Sequence, residues 1–353
     1  MISDIFSRRY EVVLVRNQYF QEDVRFMHQA AEIISDRLWL GHKPEKTSDI
    51  AEACLKSIHD ALALELGRDY LSDRFWFYKY NFNGNPQTTT YTNNYTTICK
   101  KFLESVPPDM QNADAFIKER LSLVELAFRH RQTMLQAENL KLPFAIREAE
   151  AKDRSPPPAR GIRLPGSRAD AVRTLNQKKN DLFAAQCDEL NERMRLAQYP
   201  LTYHNGMIQF ASDTEVTKQI EQPFWSMVSN PIWKNVDEQM KEAIDRRDRS
   251  DRTAAFHAVC ALESTIKIIS TQKNWTTGNE KGAANYIDNL VSKNNGRFIE
   301  PWEGDMLKTM FSDVRNPFAH GPGQEPMPKL SDEQTDWAID TAMSWIKSLV
   351  RRM

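Results

Sequence analysis

Near the end of the chain an arginine, an amide and a histidine fall within six positions, in the string Asp313-Val314-Arg315-Asn316-Pro317-Phe318-Ala319-His320-Gly321. These are the groups that attack on an RNA phosphodiester calls for. His320 titrates near neutral pH and can give or take a proton. Arg315 presents a fixed fork of donors that matches phosphate oxygens. Asn316 can hold either partner, or the ribose, by hydrogen bonds. The spacing alone is weak evidence, because it recurs from Arg37 to His42 and from Arg252 to His257. Only at Arg315 does Asn follow the Arg and Gly follow the His, with a helix expected on either side. The competing reading is a helix C-terminus whose Arg and His bond its last carbonyls. Pro317 biases Asn316 away from α geometry. The helix is therefore expected to end near Arg315, with Asn316 to His320 in a turn or a fresh helical start.

A second pair of candidates lies upstream. In Ala258-Val259-Cys260-Ala261-Leu262-Glu263-Ser264-Thr265-Ile266-Lys267, Glu263 faces inward if Leu262 and Ile266 pack nearby. A buried carboxylate needs a partner; Lys267 at i+4, or Arg315, would serve. A structural ion pair competes here with a direct catalytic role. His42 and His257 read as satisfied surface or core histidines. The arginines at 246, 247, 249 and 252 alternate with Asp245, Asp248 and Asp251, the pattern of a charge-paired helix junction.

The elements that must position these groups are mostly helical. The chain has 353 residues, 12 of them Gly, and strong 3.6-residue periodicity. Two helices are expected over 3–40, with Gly41 as the stop, and another over 48–66 closed by Gly67. Phe75 to Phe82 interleaves aromatics with Lys79 and Asn81 and runs into a Thr/Asn/Tyr-rich tract. It could stack on bases, but the preferred reading is a buried aromatic segment entering a polar loop. Helix resumes over 113–131, 134–146 and 169–197. The proline- and arginine-rich stretch 153–168 breaks the pattern and is expected to be the boundary between domains. Asn205-Gly206, between alternating residues 201–210, signals a type I′ hairpin. Five further helical runs, 235–246, 252–270, 283–292, 303–314 and 331–353, suit a bundle with short connections.

Formal net charge is −1, so any RNA site must be a local patch. The four cysteines are widely separated and form neither a disulfide framework nor a zinc cluster; free thiols are expected. The sequence has no apolar leader, no membrane-length run, no metal-ligand motif and no glycine-rich nucleotide loop. A cytoplasmic protein that needs no cofactor and no membrane is expected.

Arg315-Asn316-Pro317-Phe318-Ala319-His320-Gly321 resembles the signature of HEPN ribonucleases. Ala261-Leu262-Glu263 with Lys267, and the closing stretch Trp337 to Ile346, resemble the abortive-infection branch of that superfamily. Met1 to Trp39 resembles a small domain fused to HEPN in AbiJ-like phage-defence proteins. The resemblance implies a mainly α fold: an N-terminal helical domain over 1–152, a linker over 153–168, a long helix and short β-hairpin over 169–220, and a HEPN-type four- or five-helix bundle over 221–353. It implies a metal-independent endoribonuclease effector of antiphage abortive infection, with Arg315, Asn316 and His320 catalytic and Glu263 and Lys267 supporting. The expected partners are RNA (transfer or messenger), a second copy bound through the C-terminal bundle, and a phage or host trigger acting on the N-terminal domain. The alternative is a non-catalytic HEPN module that binds RNA or a partner protein.

Overall fold

Apolar residues at helical spacing bury one stripe of each N-terminal helix. After the short α1 (Phe6–Arg9) comes α2 (Gln21–Ser35), whose Phe26, Ala30, Ile33 and Ile34 are all buried. α3 (Pro44–Leu66) ends at Gly67, which takes a left-handed φ of 65°. α4 (Tyr95–Glu104) is capped by the Asn94 side chain accepting from Thr97 N–H. The computed structural model describes residues 4–39, 44–154, 167–212, 216–319 and 327–353. Over the expected 3–40 run, α2 stops at Ser35 and a single 3₁₀ turn, Arg37–Trp39, follows. His42 and the expected Gly41 stop lie outside the described residues.

Between α3 and α4 the aromatic segment departs from the buried reading. β1 (Phe75–Phe82) pairs antiparallel with β2 (Asn85–Thr92) in a hairpin, and every residue of β1 is exposed. Asn83 and Gly84, both at positive φ, make the two-residue turn.

Two long helices complete the first of the two compact units, Met1–Ile208 and Gln209–Met353. The runs expected separately over 113–131 and 134–146 are one helix, α5 (Asp114–Arg154), with Pro143 inside it. α6 (Arg168–Leu196) lies antiparallel to α5, with Lys179 Nζ 2.7 Å from Glu138 and Arg173 3.1 Å from Glu150. α6 contributes buried Leu190 and Met194 to the same unit. The units therefore divide at Ile208/Gln209, not at the proline-rich stretch, whose residues 155–166 lie outside the described residues. Within the first unit, buried Glu125 accepts from Arg9, Arg129 and the backbone N–H of Ile208. The hairpin of β3 (Leu201–His204) and β4 (Met207–Phe210) turns at Asn205-Gly206, as the dipeptide predicts.

The second unit is built around one helix. A π turn, Thr217–Glu221, leads into α7 (Gln222–Val228), then α8 (Lys234–Asp248) and α9 (Ala254–Gln272). α9 buries a broad apolar face, with Ala255, Ala258, Val259, Leu262, Ile266 and Ile269 buried, wide enough to need more than one covering helix. α8, α10 (Ala283–Val291) and α13 (Asp332–Arg352) pack on it. α11 (Pro301–Met310) continues through a second π turn, Phe311–Arg315, into α12 (Asn316–Ala319). Arg352 grips Glu303 with both guanidinium nitrogens, at 2.7 and 3.1 Å, tying the end of α13 to α11. The mainly α expectation holds, with the two hairpins as the β structure of the described residues. Among those residues, no helix is long and apolar enough to cross a membrane.

Candidate active site

The surface of α9 that meets the second π turn collects charged groups. Glu263 and Lys267 are one helical turn apart, and Lys267 Nζ lies 2.8 Å from Glu263 Oε1. Arg315, at the end of the π turn, places Nη2 2.9 Å from the other oxygen, Oε2. One carboxylate is therefore shared by two cations. Glu263 is nearly buried (side chain 10 % exposed), Arg315 is at 29 % and Lys267 at 46 %. The three charges sum to +1, and the exposed positive end is the Lys267 side. Its ammonium lies 5.7 Å from the centre of the Tyr286 ring.

Arg315 does not spend its whole fork on Glu263. Nη1 makes a long 3.4 Å hydrogen bond to Asn316 Oδ1, and Nε is buried with no hydrogen-bond partner among the described residues. Cys260, one turn before Glu263 on α9, stands beside the same guanidinium. Burial pushes its thiol pKa up; Arg315 pulls it down without cancelling the shift. The arrangement can hold an arginine in fixed orientation beside an amide and a half-exposed lysine, which is a setting for an anion.

Backbone geometry at the motif differs from the sequence expectation. Asn316 keeps right-handed helical angles (φ −65°, ψ −37°), and the helix runs on to Ala319. Pro317 has no N–H and its ring would press on the carbonyl four residues back in a regular helix. The wide π turn immediately before it relieves that clash. The expected helix end near Arg315 is not found: the helical course continues from the π turn through Asn316 to Ala319.

Four of the five expected site residues, Arg315, Asn316, Glu263 and Lys267, meet in one cluster. His320 lies outside the described residues, as does Gly321. Elsewhere, His257 on α9 has its pKa lowered by burial and then by Arg246. Arg246 and Arg247 bind Glu242, Asp251 and Asp248, as a charge-paired junction requires. Arg37 is bound to Glu189 on α6. Cys54 and Cys99 are buried free thiols, and Cys187 and Cys260 are partly buried free thiols. Sequence reasoning missed the roles of Cys260 and Tyr286 beside the cluster. The i−3 spacing of Cys260 from Glu263 was the available signal for the first. Among the described residues, no three His, Cys, Asp or Glu side chains are grouped to ligate a metal ion.

Comparison with known proteins gives two matches. A family described as AbiJ N-terminal domain 4 matches residues 4–226, and a family described as HEPN-like domain matches residues 234–352. No curated protein and no solved structure matches the chain.

Proposed function

The chain belongs to the AbiJ-type abortive-infection family, with a HEPN-like C-terminal domain, and on that premise we propose that it is an endoribonuclease effector that cuts RNA without a metal. The observation that carries this reading is Arg315, held on Glu263 with Lys267 and Asn316 beside it. The described residues of α12 reach Ala319, the residue before His320.

The reaction needs a base for the ribose 2′-OH, an acid for the leaving 5′-oxygen, and positive charge at the phosphate's equatorial oxygens. His320 would move the proton, Arg315 would meet the developing charge, and Asn316 would orient one of them. Glu263 would keep the guanidinium in place, and Lys267 would add charge at the rim. One chain supplies one histidine of this motif, and the reaction uses a base and an acid. A composite site from two copies about a two-fold axis supplies both. Exposed Trp302 and Met306, one turn apart on the helix leading to Arg315, support association of the C-terminal units. The N-terminal unit would then sense a phage or host trigger, or restrain the nuclease.

The test is incubation of purified protein with transfer RNA and with total RNA in EDTA, beside His320→Ala and Arg315→Ala. The expected result is cleavage that leaves 2′,3′-cyclic phosphate ends and is lost in both variants. Cleavage that persists in both variants would sink the reading. RNA binding with no cleavage by the wild type would leave a non-catalytic HEPN module in its place.

A further inference from the structure

The hairpin of β1 and β2 stands apart from any packing logic of the first unit. An isolated two-stranded hairpin is marginal in water, and large exposed apolar patches mark surfaces that bind something. Here Phe75, Trp76, Phe77, Tyr78, Tyr80 and Phe82 are all exposed, Phe77 to 63 % and Phe82 to 62 %. Strand alternation puts Trp76, Tyr78, Tyr80 and Phe82 on one face, and the register sets Tyr91 directly across from Trp76 on that face. Trp76 and Tyr91 stack with ring centres 4.4 Å apart and planes 16° from parallel. Tyr78 and Tyr80 are also near parallel, 5.8 Å apart at 21°. The result is two near-parallel ring pairs along one sheet face.

The rest of the composition narrows the occupant. From Phe75 to Thr92 there is no Ala, Val, Leu, Ile or Met and no carboxylate; every large apolar side chain is an aromatic ring, and the only charge is Lys79. At the root, the Arg74 guanidinium lies over the rings of Tyr70, Phe75 and Tyr95. The positions that share the ringed face are hydrogen-bonding residues: Thr89, Gln87 and Asn85. Flat π faces, amide and hydroxyl groups and uncompensated positive charge suit bases joined by phosphates.

We propose that the β1–β2 hairpin is a stacking platform for single-stranded nucleic acid, with bases laid on the Trp76–Tyr91 and Tyr78–Tyr80 rings and phosphates drawn by Arg74 at the root, while Lys79, on the opposite face by the same alternation, adds to the local positive potential. The platform does not depend on the cleavage reading, since it belongs to the first unit and uses none of the residues around Arg315.

The probe is a fluorescent single-stranded 2′-O-methyl RNA of about twelve nucleotides, whose blocked 2′-oxygens cannot attack phosphate. Full-length protein should bind it, more weakly as salt rises. Tyr78→Ala/Tyr80→Ala should weaken binding about tenfold or more, while Tyr78→Phe/Tyr80→Phe, which keeps the ring faces, should stay within about twofold of wild type. Lys79→Glu leaves every ring in place and should also weaken binding, which guards against an alanine variant whose hairpin unravels. Arg315→Ala should bind as wild type does, whether or not it cleaves RNA. The proposal is overturned if the alanine and glutamate variants bind like wild type. It is equally overturned if the probe does not bind and the alanine variant instead changes self-association in sedimentation, the mark of a protein-docking hairpin.

Discussion

A carboxylate shared by two cations is held chiefly by the one more shielded from water, because exposed pairs are screened and lose side-chain entropy. At Glu263 that partner is Arg315, with Lys267 on the wet side. Two substitutions should therefore behave differently. Glu263→Gln leaves a partly buried guanidinium without its counter-charge and should lower stability by about 1–3 kcal/mol. It should also cut RNA cleavage roughly 10–100-fold by loosening Arg315. Lys267→Ala should change stability by less than about 1 kcal/mol. Thermal melts beside a cleavage assay test both; an unaltered Glu263→Gln enzyme would remove the positioning role. The Lys267 pairing could be anticipated from i,i+4 spacing. The Arg315 pairing could only be named as an option, since nothing local to either helix brings the two together.

At the scale of elements, the π turn decides where Arg315 points. Regular α geometry through Phe311–Arg315 would rotate the guanidinium about the helix axis and away from Glu263. Pro317→Ala restores an N–H and removes the ring that the wide turn accommodates. The variant should melt no lower than wild type, yet cleave at least about tenfold more slowly, because the arginine is displaced. Cleavage at the wild-type rate would show that the π turn serves packing alone. The two hairpins teach a related lesson. Both turn on Asn-Gly at positive φ, and the one over 201–210 was legible because short alternating runs flank it. The first carries the same Asn83-Gly84 signal, masked by eight residues of β1 rich in rings, which read as buried. Turn chemistry is local; exposure depends on whether another element arrives to cover the face.

At the scale of the molecule, each unit contains a histidine kept neutral by burial, His130 on α5 and His257 on α9, both below the ordinary value of 6.5. The folded protein resists protonating them, while the unfolded chain takes up protons once pH drops below that value. Their contribution is thus fully present above about pH 6.5 and is lost as pH falls through the folded-state values. Tm should be lower at about pH 5.5 than at about pH 7.5, and His257→Gln should shrink that difference. An equal difference in the variant would assign the acid sensitivity to other groups.

The family matches, 4–226 and 234–352, and the two compact units, which part at Ile208/Gln209, both depart from a boundary drawn at the proline-rich stretch. Proline reports where a helix cannot run. It does not report whether the helices on either side pack together, as α5 and α6 do.

By itself the sequence determined the helical class, the Asn205-Gly206 hairpin, the family resemblance and the candidate residues, because periodicity, turn chemistry and motif spacing are properties of neighbours along the chain. It could not choose among three Arg-to-His spacings on geometry. Only the tertiary structure decided that Arg315 meets Glu263, that Asn316 stays helical beneath Pro317, and that the aromatic strand lies open to solvent. Each of those depends on which distant element packs, or fails to pack, against the residue in question.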